Sequence, residues 1–571
     1  MAQVPVKKQR VQGEEETPDK DAETENNDNV LYITHGESVV LVGHGNLVVL
    51  RGTIDLHGYV ISGSEDGSRS VLISSDSTFP VLLQATRLSE AQVPYAAPSH
   101  VVVRLDEYDG DSDKGKGELL PRLQAFKQEG LGSGAVSNGP PECVPSTWKE
   151  SVEHIMNTIR ESRSAGADMC PPVICMCGPK NTGKSMLGRF VVNSLLGRNM
   201  CDVVDYIDID CGQSEFTPPG LVSHYSVTSP LLGPPYYVRQ GARLERSHFI
   251  GDMSPASDPQ RFIQCVLDLF SHASKVRSKQ GKSRSKKENT NVRPIVINSY
   301  GWVQGVGLDV LASLLREIPV THFIRLENDK PRQNLPEGLF WMVDEEQRFE
   351  PLHYILPAVS SPLPALRFES PQPPQQGFQA LFERRNTQAA TPVERRLLQW
   401  NSFAMQCCKL SSIRDKNSWI LKTSKPVGDY LAAEPPYMVS ASDLQVESIF
   451  GAMPCSQTMR VLNATVVGLC YSESNTLGAV GHCLPCLGLG IVRSIDASSN
   501  MLYILTPLDT TTVQRVTHLL VGKLELPSSL LQTETFKSPY LALHAMASEG
   551  TGAGAGKSRN NLLRLSQLSG L

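Results

Sequence analysis

The sequence predicts an α/β protein in which a central domain built on a parallel sheet is flanked by N-terminal and C-terminal β-rich domains. Three observations carry this reading. Short β-branched runs punctuated by glycines fill the stretch from Leu31 to about Leu105. From about Val144, apolar strand-like runs alternate with helical stretches, the pattern of a parallel sheet covered on both faces. After Pro426 the chain returns to short strand-like runs. Its 571 residues, 40% hydrophobic and 20% charged, suffice for roughly three or four domains and at least one large core.

In chain order, residues 1–29 are polar and acidic and read as a disordered tail. Within them Lys7-Lys8-Gln9-Arg10 reads as a solvated cluster, with a weak nuclear address as the alternative. Residues 30–142 form the N-terminal β-rich domain, with runs at Val39–Val42, Leu47–Leu50 and Tyr59–Ile61; its last part, 106–142, reads as loop or linker. Residues 143–425 form the central domain. Its expected elements are a helix at Trp148–Ser162, a strand at Val173–Cys177, a helix at Lys184–Leu196 and a strand at Val203–Ile209, then a strand at Pro294–Asn298, a helix near Gly307–Ile318 and a strand at Thr321–Leu326. Two stretches interrupt it. A basic insertion at 275–289 carries seven Lys or Arg between 275 and 287, and reads equally as a solvated loop or as a targeting or RNA-contact segment. A Pro- and Gln-rich stretch at 361–377 reads as an extended linker. Residues 426–546 form the C-terminal β-rich domain, with runs at Val461–Val467, Leu487–Val492 and Met501–Leu505, and 547–571 read as a flexible tail.

A net charge of −5 rules out a global polycation, so any nucleic-acid contact must use a local basic patch. The 13 cysteines include several inside apolar runs, as in Val173-Ile-Cys-Met-Cys177, which points to buried reduced thiols and a cytosolic or nuclear compartment. No apolar core of a secretory signal is visible near Met1, and no apolar stretch reaches the length of a membrane span. The lone Cys483-Leu-Pro-Cys486 pair, with His482 beside it, reads as structural thiols, because zinc needs four ligands and neither Cys455 nor Cys470 offers paired spacing.

The chemistry concentrates in Gly178-Pro179-Lys180-Asn181-Thr182-Gly183-Lys184-Ser185, a match to G-x-x-x-x-G-K-[ST] with a strand-like run before it and an amphipathic run after it. Glycines let the backbone curl so that successive N–H groups face phosphate oxygens. Lys184 brings a positive charge to the β- and γ-phosphates, and Ser185 offers a hydroxyl to Mg²⁺. The motif therefore implies ATP and Mg²⁺. A similar stretch, Gly552–Ser558, starts from Thr551 instead of glycine and lacks a preceding strand, so it is not a nucleotide site. The acidic half is expected at Asp208 and Asp210, which end an apolar run, Asp208 lying 24 residues after Lys184. Strand alternation would place both on one face at the strand's C-terminal end, where one carboxylate serves the Mg²⁺ shell and the other an attacking hydroxyl; a solvated strand end is the alternative. No N-K-x-D guanine motif accompanies the loop.

These motifs resemble the polynucleotide 5′-hydroxyl kinases. Asp208-Ile-Asp-Cys-Gly-Gln213 and Ser214-Glu-Phe-Thr-Pro-Pro-Gly220 are similar to the family's D-x-D-x-G-Q…P-G signature, and Asn298-Ser-Tyr-Gly-Trp302 to its N-T-x-G-W strand end. Glu215–Gly220 and Leu232-Gly-Pro-Pro235 point to the nucleolar branch, which acts in pre-ribosomal RNA processing. The resemblance implies a central P-loop NTPase-type domain between two β domains, with ATP, Mg²⁺ and a nucleic-acid 5′-OH as ligands. It implies that Lys184, Asp208 and Asp210 are catalytic, that Ser185, Asp208 and Asp210 surround the metal, and that the acceptor end lies near Gln213, Thr217, Pro219 and Gly220. Trp302 reads either as a base-stacking platform or as a packing residue. A mobile lid is expected at 380–403, its arginine coming from Arg384-Arg385 or Arg395-Arg396, with no choice between Arg395 and Arg396; the alternative is an amphipathic helix with solvent-facing arginines. The branch further implies an RNA acceptor (DNA remaining open), cleavage products of internal transcribed spacer 2 in large-subunit maturation, pre-ribosomal particles and an endoribonuclease partner, and a nuclear and nucleolar location. The tRNA-splicing or mRNA 3′-end branch, and a nucleotide-binding scaffold without turnover, are the competing readings.

Overall fold

The structure, a computed structural model, describes residues 30–34, 38–63, 69–75, 81–86, 100–106, 124–127, 144–164, 172–235, 241–283, 292–342, 351–358, 392–408, 426–449, 451, 461–472 and 483–531. The acidic tail with Lys7–Arg10, the Pro/Gln-rich linker, Arg384, Arg385, His482 and the Gly/Ser-rich end lie outside the described residues.

The N-terminal strands are β1 (Val30–Thr34), β2 (Ser38–Arg51), β3 (Thr53–Leu56), β4 (Tyr59–Ser62), β5 (Ser70–Ser75), β6 (Val81–Thr86), β7 (His100–Asp106) and β8 (Gln124–Lys127), all paired antiparallel. The long β2 is shared: its first part pairs with β6 and β8, its second with β5 and β7. Strand β8 falls inside the stretch that composition assigns to linker, because its four residues are too few to shift the local average.

The central sheet is ordered β12-β11-β10-β13-β9-β14-β15, from β9 (Val173–Cys177), β10 (Val204–Asp208), β11 (Leu221–Val227), β12 (Ala242–Phe249), β13 (Ile295–Asn298), β14 (His322–Glu327) and β15 (Leu352–Pro357). Strands β10, β13, β9, β14 and β15 run parallel, and the β11–β12 hairpin extends the β10 edge antiparallel. Val173, Cys175 and Cys177 face a core shared with α3 (Pro259–Ser283) and α4 (Val306–Glu317). Ile174 and Met176 face the opposite core, shared with α1 (Ser146–Ser164) and α2 (Lys184–Gly197). An unbroken apolar run is what a strand buried on both faces requires. Helix α3 continues to Ser283, so the first nine positions of the basic insertion are helical rather than loop; Lys, Arg and Gln are good helix formers and prolong a helix that has left the core.

The C-terminal sheet is ordered β16-β20-β19-β18-β21-β17, from β16 (Tyr437–Ser440), β17 (Gln445–Ser448), β18 (Thr465–Cys470), β19 (Cys486–Asp496), β20 (Met501–Leu505) and β21 (His518–Val521). It leans on β12, where Ser247 Oγ donates to Cys486 O at 2.7 Å. The N-terminal domain leans on α2. There the β3–β4 turn brings Gly58, at φ +89°, against Phe190 and Ser194, and a Cβ on Gly197 would stand 2.6 Å from Val60 N. Each described cysteine is a free thiol, and none of the described helices is long and apolar enough to cross a membrane.

Candidate active site

Strand β9 ends at Cys177, and the chain then turns through Gly178–Gly183 before α2 begins at Lys184. Asn181 and Gly183 take left-handed φ values of 61° and 92°, which wind the backbone around a small concavity. Inside it, Lys184 is 7% exposed, and its Nζ donates to Gly178 O at 2.9 Å and to Pro179 O at 2.6 Å. Burial lowers the Lys184 pKa to about 8, against the pull of Asp210. Thr182 Oγ1 donates to Pro179 O at 2.9 Å and steadies the loop, whereas Lys180 and Asn181 are exposed. The loop's other flank is Gly301, where a Cβ would lie 2.6 Å from Lys180 Cγ.

Asp208 is the last residue of β10 and pairs in register with Asn298, the last residue of the parallel β13. Both are 1% exposed. Asn298 Nδ2 donates to Asp208 Oδ1 at 3.1 Å and reaches Ser185 Oγ at 3.4 Å, so the amide joins the acidic strand end to the phosphate loop. Glu215 N donates to Asp208 Oδ2 at 2.5 Å. Burial pushes Asp208 up to about 8, with Asp210 and Glu215 adding to the push and the Glu215 amide and Asn298 opposing it.

Asp210 lies past the strand end, not on it. Its Oδ1 accepts from Gly212 N and Gln213 N, both at 3.0 Å, and its own N–H reaches Asp208 Oδ1 at 3.3 Å. The two carboxylates therefore meet through a turn rather than through strand alternation. Among the described residues no hydrogen bond ends on Asp210 Oδ2.

The loop from Gln213 to Gly220 is held from three sides. Glu215 pairs with Arg189 of α2 at 2.9 Å, both buried. Gln399, on the helix Pro392–Cys407, donates to Ser214 O at 2.6 Å and reaches Thr217 O at 3.4 Å. Gly220, at φ +101°, accepts from Ile250 N and Gly251 N and packs against Leu524. Thr217 and Pro219 are buried, and Gln213 is half-buried. Trp302 is half-buried with its ring laid on Gly307 at the start of α4. Arg395 is exposed and Arg396 half-buried one turn before Gln399 on the same helix. Among the residues expected from sequence, the structure thus brings together the 178–185 loop, Asp208, Asp210 and Gln213, sets Gly220 into packing, and leaves the two arginines on a helix that grips the 213–220 loop.

Arg189 and Gln399 are site-shaping residues outside every motif, whereas Asn298 and Glu215 stood inside motifs without a role of their own. Asn298 had a usable signal: a polar residue closing a buried apolar strand. Gln399 had none, because 182 residues separate it from Thr217.

Ser185, Asp208 and Asn298 form a set of hard oxygen donors, and Asn298 Oδ1 is buried without a hydrogen-bond partner. Such a set fits Mg²⁺ better than a soft metal.

Comparison with known proteins agrees with this geometry. Residues 178–352 match the family model of the mRNA cleavage and polyadenylation factor CLP1 P-loop, and residues 432–527 match that of the NOL9-like C-terminal domain. The solved structure of the wild-type Clp1p–Pcf11p complex superposes with a TM-score of 0.51 at 12% identity, covering 87% of this chain and 97% of that one, a likeness of fold. The polynucleotide 5′-hydroxyl-kinase NOL9 of Homo sapiens is 26% identical over 67% of this chain and 53% of its own length. That of Danio rerio is 28% identical over 67% of this chain and 50% of its own. That of Arabidopsis thaliana is 31% identical over 71% of this chain and 97% of its own length. At that identity and coverage, the chain belongs to the NOL9 family of polynucleotide 5′-hydroxyl kinases.

Proposed function

We infer that this protein transfers the γ-phosphate of ATP to the 5′-hydroxyl end of a polynucleotide, and that its acceptor is RNA. The observation that carries the reading is the join between the two halves of the site: Asn298 links Ser185 of the phosphate loop to Asp208 of the acidic strand end. ATP lies with its phosphates on residues 178–185. Lys184 leaves its two carbonyl partners to meet the β- and γ-phosphates. Ser185 and Asp208 would hold Mg²⁺, which would supply charge neutralisation at the phosphoryl oxygens. Asp210 is the group for the acceptor, since one oxygen caps its own turn and the other accepts no hydrogen bond among the described residues. It orients the 5′-OH and receives its proton. Gln213, Thr217, Pro219 and Gly220 form the loop beside which the acceptor end enters, and Trp302 borders it. A lid arginine, Arg395 or Arg396, completes the charge stabilisation. Catalysis is then positioning and electrostatics.

The nucleolar branch implies pre-ribosomal RNA with a 5′-OH end as the natural substrate, an endoribonuclease that generates that end, and a nuclear, nucleolar place of action; these are proposals that rest on the resemblance. The test is transfer of labelled γ-phosphate from ATP to matched 5′-OH RNA and DNA oligonucleotides, with Lys184→Ala as control. Labelled RNA product from the wild type and none from the variant is the expected result. ATP binding without labelled product on either acceptor would replace this reading with that of a scaffold, and equal labelling of DNA would remove the RNA preference.

A further inference from the structure

Where the C-terminal sheet leans on the central one, three ligand-type side chains converge from separate parts of the chain. His248 stands on β12, Cys265 on α3, and Cys483 just ahead of β19. Cys483 Sγ lies 3.3 Å from Cys265 Sγ and 3.8 Å from His248 Nδ1, and the three atoms all lie within 4.8 Å of one another. His248 and Cys265 are fully buried, and Cys483 is half-buried.

These spacings are those of a coordination shell. A tetrahedral zinc with bonds of about 2.3 Å to sulfur and about 2.0 Å to nitrogen separates two sulfurs by about 3.8 Å and a sulfur from a nitrogen by about 3.5 Å. Both measured edges fall within about half an ångström of these values. The far side of the imidazole is also prepared. His248 Nε2 lies 2.8 Å from Asp268 Oδ2, which Arg246 holds as well. A carboxylate on one ring nitrogen takes its N–H and leaves the other nitrogen as a lone pair, the arrangement that orients histidine ligands of zinc. Before a metal binds, Nδ1 donates to Leu484 O at 3.0 Å with the two sulfurs beside it, and release of that proton turns its lone pair to the metal.

We propose that His248, Cys265 and Cys483 bind a zinc ion that pins the C-terminal domain to the central sheet. The lone C-x-x-C seen in the sequence is thus only one corner of the site. The fold supplies the other two ligands from positions 218 and 235 residues away in sequence, and Cys486 turns instead to Gly488 O at 3.2 Å. Binding displaces the Nδ1 proton and the thiol protons to solvent, and the fourth position, on the half-exposed Cys483 side, takes a water. Soft thiolate and imidazole ligands select zinc over the hard cation of the phosphate site, so the two metals do not compete.

The experiment is metal analysis of the full-length chain purified without chelator, and of the same chain stripped and then given Zn²⁺ alone. The expected result is about one zinc per chain, falling at least tenfold in Cys483→Ser and in Cys265→Ser and unchanged in Cys486→Ser. If Cys265→Ser does not fold, Cys483→Ser at the half-exposed position carries the comparison. Cobalt in place of zinc should show thiolate-to-metal charge-transfer absorption that Cys483→Ser removes. Full-length chain that neither retains nor takes up zinc, zinc content indifferent to Cys483→Ser, or a Cys265–Cys483 disulfide in unreduced peptide maps would each overturn the proposal.

Discussion

At the residue scale, the buried groups that hold the site explain both its readable and its unreadable parts. The phosphate loop, Asp208 and Asp210 were legible because loop spacing and an acidic strand end are local patterns. The partners that fix them are not local. Arg189 and Glu215 form a buried pair between α2 and the 213–220 loop. Arg189→Met removes the buried guanidinium that holds the Glu215 carboxylate, and denaturant unfolding should show a loss of about 3 kcal/mol. Asn298→Leu removes the donor shared by Ser185 and Asp208, so kcat should fall at least a hundredfold with the thermal midpoint little changed, as activity and melting assays would show. His322 on β14 is 4% exposed, and burial, with His154 adding, lowers its pKa to about 4. Its folded-state pKa lies below the unfolded value, so the unfolded chain binds the extra proton. The contribution is whole above about pH 6.5 and is lost as the pH falls through about 4. His322→Gln should therefore flatten the acid limb of the stability–pH curve by on the order of 3 kcal/mol, measured by urea unfolding between those pH values; an unchanged limb would assign the acid sensitivity elsewhere.

At the scale of elements, the β11–β12 hairpin escaped the sequence because it carries polar side chains, His224 and Ser226 among them buried. The β11–β12 hairpin reads as no regular run because His224, Ser226, Arg243 and Glu245 interrupt it. The fold accepts them through a closed network: His224 Nε2 lies 2.6 Å from Asp205 Oδ1, and Arg293 donates to both Asp205 oxygens and to Ser226 Oγ. Paired in this way, buried polar groups do not forbid a strand, but no window of sequence contains Asp205 and Arg293 together. The helix Pro392–Cys407 shows the same limit. Its amphipathic pattern identifies a helix, yet nothing in it says that Gln399 grips the acceptor loop. Gln399→Ala should raise the KM for a 5′-OH oligonucleotide about tenfold, a difference of about 1.4 kcal/mol, and leave the KM for ATP unchanged. Equal changes in both would show that the helix steadies the whole cleft instead.

At the scale of the whole molecule, the three-part plan was visible in texture, while the way the parts touch was not. Glycines mark the contacts: Gly58 and Gly197 where the N-terminal domain meets α2, Gly220, Gly251 and Gly522 where the C-terminal domain meets the acceptor loop. Gly197→Val drives a side chain into Val60 and should lower stability by about 1–3 kcal/mol, read from thermal melting. On the other flank, Leu524 packs on Gly220, and Lys523 N donates to Gly251 O at 2.7 Å. The two walls of the candidate site are therefore bolted to different neighbours: the helix behind the 178–185 loop is braced by one β domain, and the 213–220 loop is moored to the other. Such mounting lets each jaw of the vice be trued separately. Leu524→Ala should slacken the 213–220 jaw alone, so that the KM for a 5′-OH oligonucleotide rises while the KM for ATP stays where the phosphate loop set it.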